Sequence, residues 1–278
     1  NSPYRSLAVL LLVLLRAEMT GAETVWVESG SLAAPEAHQA AAADDRFVYA
    51  IASAQIAKYD RATGQRVAVS TGEAKHLNSG FFWEGRLYCA HSNFPKLPER
   101  SEIKVLDPVT MQLTTGKEFG NYGGSLTWVV REGAHWWCNF ARYKDDNAQT
   151  FLVKFDAQWQ ELARWTYPPE VIREIGRASL SGGVWRDGSL LVTDHDHLVL
   201  YRLRVPAQGK VLDFVEKQAA PFAGQGIAHD PVTGGLLGIQ RAKRLVIFAV
   251  PKRLQFQGKL RDFQKRTRDP WVSKWTHE

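Results

Sequence analysis

The chain has 278 residues, 45% of them hydrophobic, with ten Trp, thirteen Phe and eight Tyr, so it can bury a full core as one large β domain or two ordinary ones. Its net charge of +6 suggests a polyanion partner, but the last 28 residues hold eight Lys or Arg against three Asp or Glu. The body is therefore close to neutral, and no nucleic-acid partner is expected.

The chain opens with Arg5, an apolar run from Leu7 to Leu15 and small residues ending Thr20-Gly21-Ala22. That run is too short to cross a bilayer, which takes about 20 apolar residues in a helix, so residues 1–22 are predicted to be a secretory signal. A secreted or periplasmic location follows as an expectation, with no transmembrane segment in the mature chain. Cys89 and Cys138 do not make a disulfide framework and are expected to be buried free thiols.

From residue 24 onward the pattern is one of short strands. TVWVESG at 24–30 comes first; then a hairpin motif recurs from His38, Asn78, Gly124, Ser181 and Gly224. Each copy has a polar or small start, an apolar run, a turn such as Glu84-Gly85 or Asp187-Gly188, and a second apolar run. A third strand follows in each (QIAKYD, EIKVLD, FLVKFD, LVLYRL, LVIFAV). A fourth follows in all but the last (RVAVST, QLTTGKE, ELARWTY, KVLDFVE).

Asp60, Asp107 and Asp156 end the first three of those third strands before turn residues, where a carboxylate accepts backbone N–H bonds. Four strands repeating at this spacing predict an all-β propeller of four-stranded blades over residues 23–250. Five blades are expected, with six as the alternative, the N-terminal strand supplying the missing outer strand and closing the ring. Residues 251–278 read as a basic, solvated C-terminal tail.

Three segments break the rhythm. The loops after Ser92 and after Phe140 join second to third strands and are expected to shape a rim on one face. PPEVIREIGR at 168–177 predicts one or two helical turns between the third and fourth blades.

The hairpin followed by the IxKxxDxxT pattern resembles the NHL, gluconolactonase/SMP-30 and YncE-like propeller superfamilies, and STGEAKHLNSGF, YGGSLTW and GQGIAHDP look like stretches of exported bacterial propellers. The resemblance implies the fold; activities among such proteins vary. Some relatives are lactonases, and fungal muconate-lactonizing cycloisomerases are also propellers. The gluconolactonase type holds a divalent metal on the axis through Glu, two Asn and an Asp. Here Asn78, Asn139 and Asp194 would be the counterparts, whereas the first hairpin offers His38 or Gln39 in place of the Glu, so a divalent metal is an open possibility and no cofactor is firmly expected.

Polar residues at the starts of the innermost strands should ring the mouth of the central channel: His38, Asn78, Ser125, Ser181 and Gln225. Asn139 and Gln240 take the matching place after the second run. This ring is the expected binding site for a small polar or carbohydrate-like molecule on a monomeric protein. The structural alternative is that these groups satisfy one another and ordered water.

Trp83, Trp128 and Trp185 at the repeat position are expected between blades. TDHDHL at 193–198 looks metal-rich, but strand alternation would split its ligands, and a solvated turn is the expectation. If chemistry occurs, His91 as base with Asp194 as its orienting carboxylate is the pair expected to carry a lactonase or cycloisomerase reaction. The chain contains no GxSxG, HExxH or P-loop. A third possibility is a protein-interaction scaffold using the loops 93–101 and 140–150.

Overall fold

A computed structural model describes residues 22–222 and 224–255; all but Ala22 of the expected signal and most of the expected tail fall outside them. Thr24–Lys252 forms one compact unit. Of the remainder, 1–23 and 253–278, the described residues are the terminal positions of the first and last strands. Strand β1 (Ala22–Ala33) comes first. Blade 1 is β2 (Ala40–Ala43), β3 (Phe47–Ile51), β4 (Ile56–Asp60) and β5 (Arg66–Val69). Blade 2 is β6 (Phe81–Trp83), β7 (Arg86–Ser92), β8 (Ser101–Leu106) and β9 (Leu113–Gly120).

Blade 3 is β10 (Ser125–Glu132), β11 (His135–Ala141), β12 (Phe151–Phe155) and β13 (Glu161–Thr166). Helix α1 (Pro169–Ile175) separates it from blade 4, which is β14 (Gly183–Arg186), β15 (Ser189–Thr193), β16 (Val199–Arg204) and β17 (Asp213–Ala219). Blade 5 is β18 (Ala228–His229), β19 (Leu236–Gln240) and β20 (Leu245–Gln255), and β1 pairs with β20 as its outermost strand. The protein is thus a five-bladed β-propeller closed by its N-terminal strand. Among the described residues no helix is long and apolar enough to cross a membrane.

Local chemistry explains the hairpins. Glu84 and Gly85 (φ 46° and 72°), like Asp187 and Gly188 (49° and 68°), are both left-handed, the backbone that a two-residue turn needs to match strand twist. Asp60 and Asp107 each accept two backbone N–H bonds at 2.9–3.1 Å in the turn that follows, which fixes the entry into the fourth strand.

Apolar packing lies between blades, and Trp128 at 0% exposure is the largest fully buried side chain there. Trp185 packs against the same cluster, and Trp83 against the one shared by blades 2 and 3. Cys89 and Cys138 are free and buried in different clusters, and burial pushes both thiols up.

Toward the axis the side chains shrink. β2 is four buried alanines, and glycine sits at 182, 183 and 226. A Cβ at Gly226 would stand 2.6 Å from Ala40 Cβ and 3.1 Å from both Asn78 O and Ser79 Cα, so blade 5 touches blade 1 and, across the axis, blade 2.

Hydrogen bonds then link every blade to the next. Gly226 N–H donates to Gln39 O (2.9 Å), Leu77 N–H to Ser53 O (2.9 Å) and Asn78 Nδ2 to Leu126 O (2.9 Å). Thr127 Oγ1 donates to Leu180 O (3.1 Å), and Thr193 Oγ1 to Gln225 O (2.8 Å).

Asn139 is the fulcrum of the clasp between blades 3 and 4. Fully buried, it donates from Nδ2 to Thr127 Oγ1 (2.8 Å) and Leu180 O (3.3 Å), while its Oδ1 accepts from Tyr167 OH (2.7 Å). Asn139→Ala leaves the Tyr167 hydroxyl unpartnered in a dry interface and takes one of two donors from Leu180 O, which keeps Thr127 Oγ1. It is expected to lower the free energy of urea unfolding by about 3 kcal/mol; a loss below about 1 kcal/mol would mean that the clasp is not structural.

Candidate functional site

Because strands alternate direction within each blade, the connections entering the innermost strands emerge on the same face as those joining second to third strands. The cavity on that face measures about 580 Å³ and draws side chains from all five blades. Its polar floor is Gln39, Asn78, Ser181 and Gln225, the residues just ahead of the inner strands. Of these, Asn78 is committed to the blade clasp, and Gln39 Nε2 donates to Ser53 Oγ (2.9 Å). The Gln225 amide makes no hydrogen bond among the described residues, and Ser181 Oγ meets only Ser179 Oγ (3.2 Å).

One wall is aromatic. Phe94, from the loop after β7, packs against Tyr143 with centroids 4.7 Å apart and against His76 at 5.5 Å. Tyr143 enters the 3-10 segment Lys144–Gln149 after β11; burial pushes its hydroxyl up to about 12, so it stays a neutral donor. The two irregular loops therefore do line the rim.

Next to it lie the C-terminal end of α1 and the chain that follows, joined to the 3-10 segment by the Lys144 N–H donating to Arg177 O (3.1 Å). Gly176 turns there with φ 59°, and Arg177 reaches Asp145 (3.3 Å). Glu174 accepts from Lys217 Nζ (2.6 Å) and Tyr201 OH (3.0 Å).

Two further groups complete the site. His195 and Asp196, after β15, pair at 2.6 Å between Nδ1 and Oδ1. Arg241, after β19, donates to His38 Nδ1 (3.3 Å) and stands close to His76. Burial, followed by the charge of Arg241, holds both histidines below the usual imidazole range, so they face the guanidinium as neutral rings.

The expected site residues separate accordingly. Asn78, Ser181 and Gln225 share the cavity, and His38 touches it through Arg241. Ser125 is buried with its hydroxyl unpartnered, Asn139 belongs to the clasp, and Gln240 Nε2 donates to Pro221 O (3.4 Å); none of the three lines the cavity.

His91 and Asp194 are not brought together. His91 lines a separate cavity of about 270 Å³ on blade 2, where its Nε2 accepts from Lys75 N–H (2.8 Å) and its Nδ1 lies 2.9 Å from Glu102 Oε1. Burial lowers it to about 4 despite that carboxylate. Asp194 is 1% exposed; Oδ1 accepts from the N–H groups of Asp196 (2.8 Å) and His197 (2.9 Å), and Oδ2 from Tyr201 OH (2.6 Å). That is the turn cap of Asp60 and Asp107 over again, so neither group of the expected pair has a lone pair directed at a shared reactant.

The same geometry answers the metal expectation. Asn139 Oδ1 and both Asp194 oxygens accept from protein donors, Asn78 is held through its Nδ2 in the blade clasp, and of the three only Asn78 lines the cavity. Among the described residues no group of three His, Cys, Asp or Glu side chains is placed to hold an ion. The residues present do not fit the axial metal that the resemblance implied.

The sequence had no periodic signal for Arg241, Arg177 or the end of α1, all of which sit in connections that do not repeat. His76, Phe94 and Tyr143 could have been found from the two loops and the polar cluster beside them.

No family model matches the chain, and no curated protein matches it. Solved structures do resemble it. Glutaminyl cyclase from Myxococcus xanthus superposes with a TM-score of 0.59 at 9% identity, covering 84% of this chain and 99% of that one. A chain of the mitotic checkpoint complex (TM-score 0.45, 9% identity, 90% and 96% covered) and Kuenenia stuttgartiensis hydrazine synthase (0.46, 10%, 82% and 71%) are more distant. The first of these likenesses supports the propeller fold; at such identities none supports the NHL, gluconolactonase or YncE-like membership expected from the sequence.

Proposed function

We propose that this propeller binds a small polar, carbohydrate-like molecule in the 580 Å³ cavity on its face, as an exported monomer. The observation that carries it is convergence: five blades deliver polar side chains to one pocket of ligand size, and the Gln225 amide and Ser181 hydroxyl there are not consumed by the fold. A carboxamide floor facing Phe94 and Tyr143 suits a ligand with hydroxyls or amides on its edges and an apolar face. The test is calorimetric titration with a library of sugars, sugar acids and short amides. Ser181→Ala combined with Gln225→Ala is expected to weaken the best binder at least about tenfold with little change in melting. Equal affinity in the double variant would refute the site.

A second reading, lactonase or cycloisomerase chemistry at the same cavity, rests on the His195–Asp196 pair. The carboxylate 2.6 Å from Nδ1 orients the ring, and no protein group among those described occupies Nε2, so the base demanded by such reactions is at hand. That the Myxococcus xanthus neighbour is a cyclase adds only that the fold tolerates an enzyme. In a lactone-hydrolysis screen, activity should drop at least about a hundredfold in His195→Ala and survive in His91→Gln; turnover that is indifferent to His195 removes this reading.

A further inference from the structure

Among the described arginines, six are half-buried: Arg61, Arg131, Arg142, Arg186, Arg202 and Arg241. Four of them reach a carboxylate, at 2.7 to 3.7 Å. Arg131 instead lies over the rings of Trp83 and Trp136, at 4.0 and 5.0 Å. Arg241 has neither: its one side-chain partner among the described residues is the neutral ring of His38. Taking a guanidinium out of water without an anion is costly, and proteins ordinarily offset it with a carboxylate or an aromatic face. The two carboxylates that line the same cavity do not serve, since Glu174 is held by Lys217 and Tyr201, Asp196 pairs with His195, and neither forms an ion pair with Arg241.

We propose that Arg241 is the anchor for a carboxylate on the ligand of this cavity, so that the bound molecule is a small polar acid such as a sugar acid or an acyl amino acid. The inference rests on the binding site proposed above and narrows its ligand class. A guanidinium presents a planar fork of N–H donors that matches a carboxylate in shape and charge. His76 and His38 beside it are hydrogen-bonding rings; of the other cations nearby, Arg177 pairs with Asp145, and Arg244, whose charge is felt at Arg241 and His38, does not line the cavity. One guanidinium without a carboxylate partner, lining the cavity beside neutral donors, suits a monoanion better than a phosphate. Ser181 and Gln225 then face the uncharged remainder of the molecule.

The test uses pairs that differ only in that charge: acetate with acetamide, and D-glucuronate with D-glucuronamide. Each is titrated into the full chain at pH 7 while calorimetry and the Arg241 Nε–H resonance are followed. The acid of each pair is expected to bind at least about tenfold tighter than its amide and to shift the Arg241 resonance. Arg241→Gln should equalise the members of a pair with unchanged melting temperature, and Arg241→Lys should retain part of the preference.

If acid and amide bind wild type equally, or Arg241→Gln keeps the preference, the anchor is refuted while the cavity stands as a binding site. Tighter binding of inorganic phosphate than of either acid likewise overturns the carboxylate assignment. If neither pair binds or shifts any cavity resonance, the anchor and the binding site fall together.

Discussion

A chain lacking residues 24–33 is expected to lose the single cooperative unfolding transition of the intact protein, and a synthetic peptide of residues 22–33 should restore it in trans. β1 is the outermost strand of blade 5, where it covers the edge of β20. The inner strand of that blade, β18, is only two residues long, so the blade cannot spare a partner. β1 also reaches beyond its own sheet. Trp26 is 5% exposed, its Nε1 donates to Gln218 Oε1 (2.8 Å) on β17 of blade 4, and Arg186 lies 5.1 Å from its ring.

Trp26→Ala alone removes that packing and leaves the buried Gln218 Oε1 without its donor, a loss of about 3–5 kcal/mol. Urea titration followed by near-ultraviolet circular dichroism reads both variants. If the truncated chain unfolds at the wild-type midpoint, ring closure by the N-terminal strand does not stabilise this propeller.

The propeller was legible because its signals repeat. Glu84-Gly85 and Asp187-Gly188 announce turns through conformations that few other pairs adopt, and LVLYRL or FLVKFD announce third strands by their apolar character. The polar residues at the strand starts were equally visible, but their task was not. A recurring Asn or Ser near an axis looks the same whether it meets a ligand or the neighbouring backbone. Tight packing decides the matter here: with Gly226 against Ala40 and against Asn78 O, the inner strands come close enough for Asn78 and Asn139 to clasp the next blade.

Asp194 was open to the same misreading. Its N–H donors lie two and three residues onward, at the offsets served by Asp60 and Asp107, in keeping with the turn expected of TDHDHL, whereas the pairing with His91 came from its place after the second apolar run. What remained illegible belongs to connections with no counterpart in other blades. The end of α1 and the 3-10 segment Arg241–Lys243 are placed by tertiary packing alone, and they supply Arg177 and Arg241 to the cavity.

Acid should destabilise the protein well above the pH at which its carboxylates titrate, and His91 should be the main cause. Its ring is 6% exposed, and burial outweighs the attraction of Glu102, with Lys104, His76 and Lys75 opposing protonation further, so that the folded-state value falls to about 4 from an ordinary 6.5. The folded ring therefore stays neutral where the unfolded ring takes up a proton. Stability from this group is fully present above about pH 6.5 and is lost as pH falls toward about 4, in total about 3 kcal/mol.

His38, His76 and His229 are also held below the usual range, chiefly by burial, and act in the same direction. In His91→Gln the side-chain oxygen can accept the Lys75 N–H in place of Nε2 without titrating, so the variant should lose about 2 kcal/mol less than wild type between pH 7 and pH 5. Urea unfolding at the two pH values measures the difference, and the His91 ring proton resonances follow its titration directly. Equal pH dependence in the two proteins, or a His91 that titrates near 6.5 in the folded state, would mean that the blade 2 cavity admits enough water to solvate the charged ring.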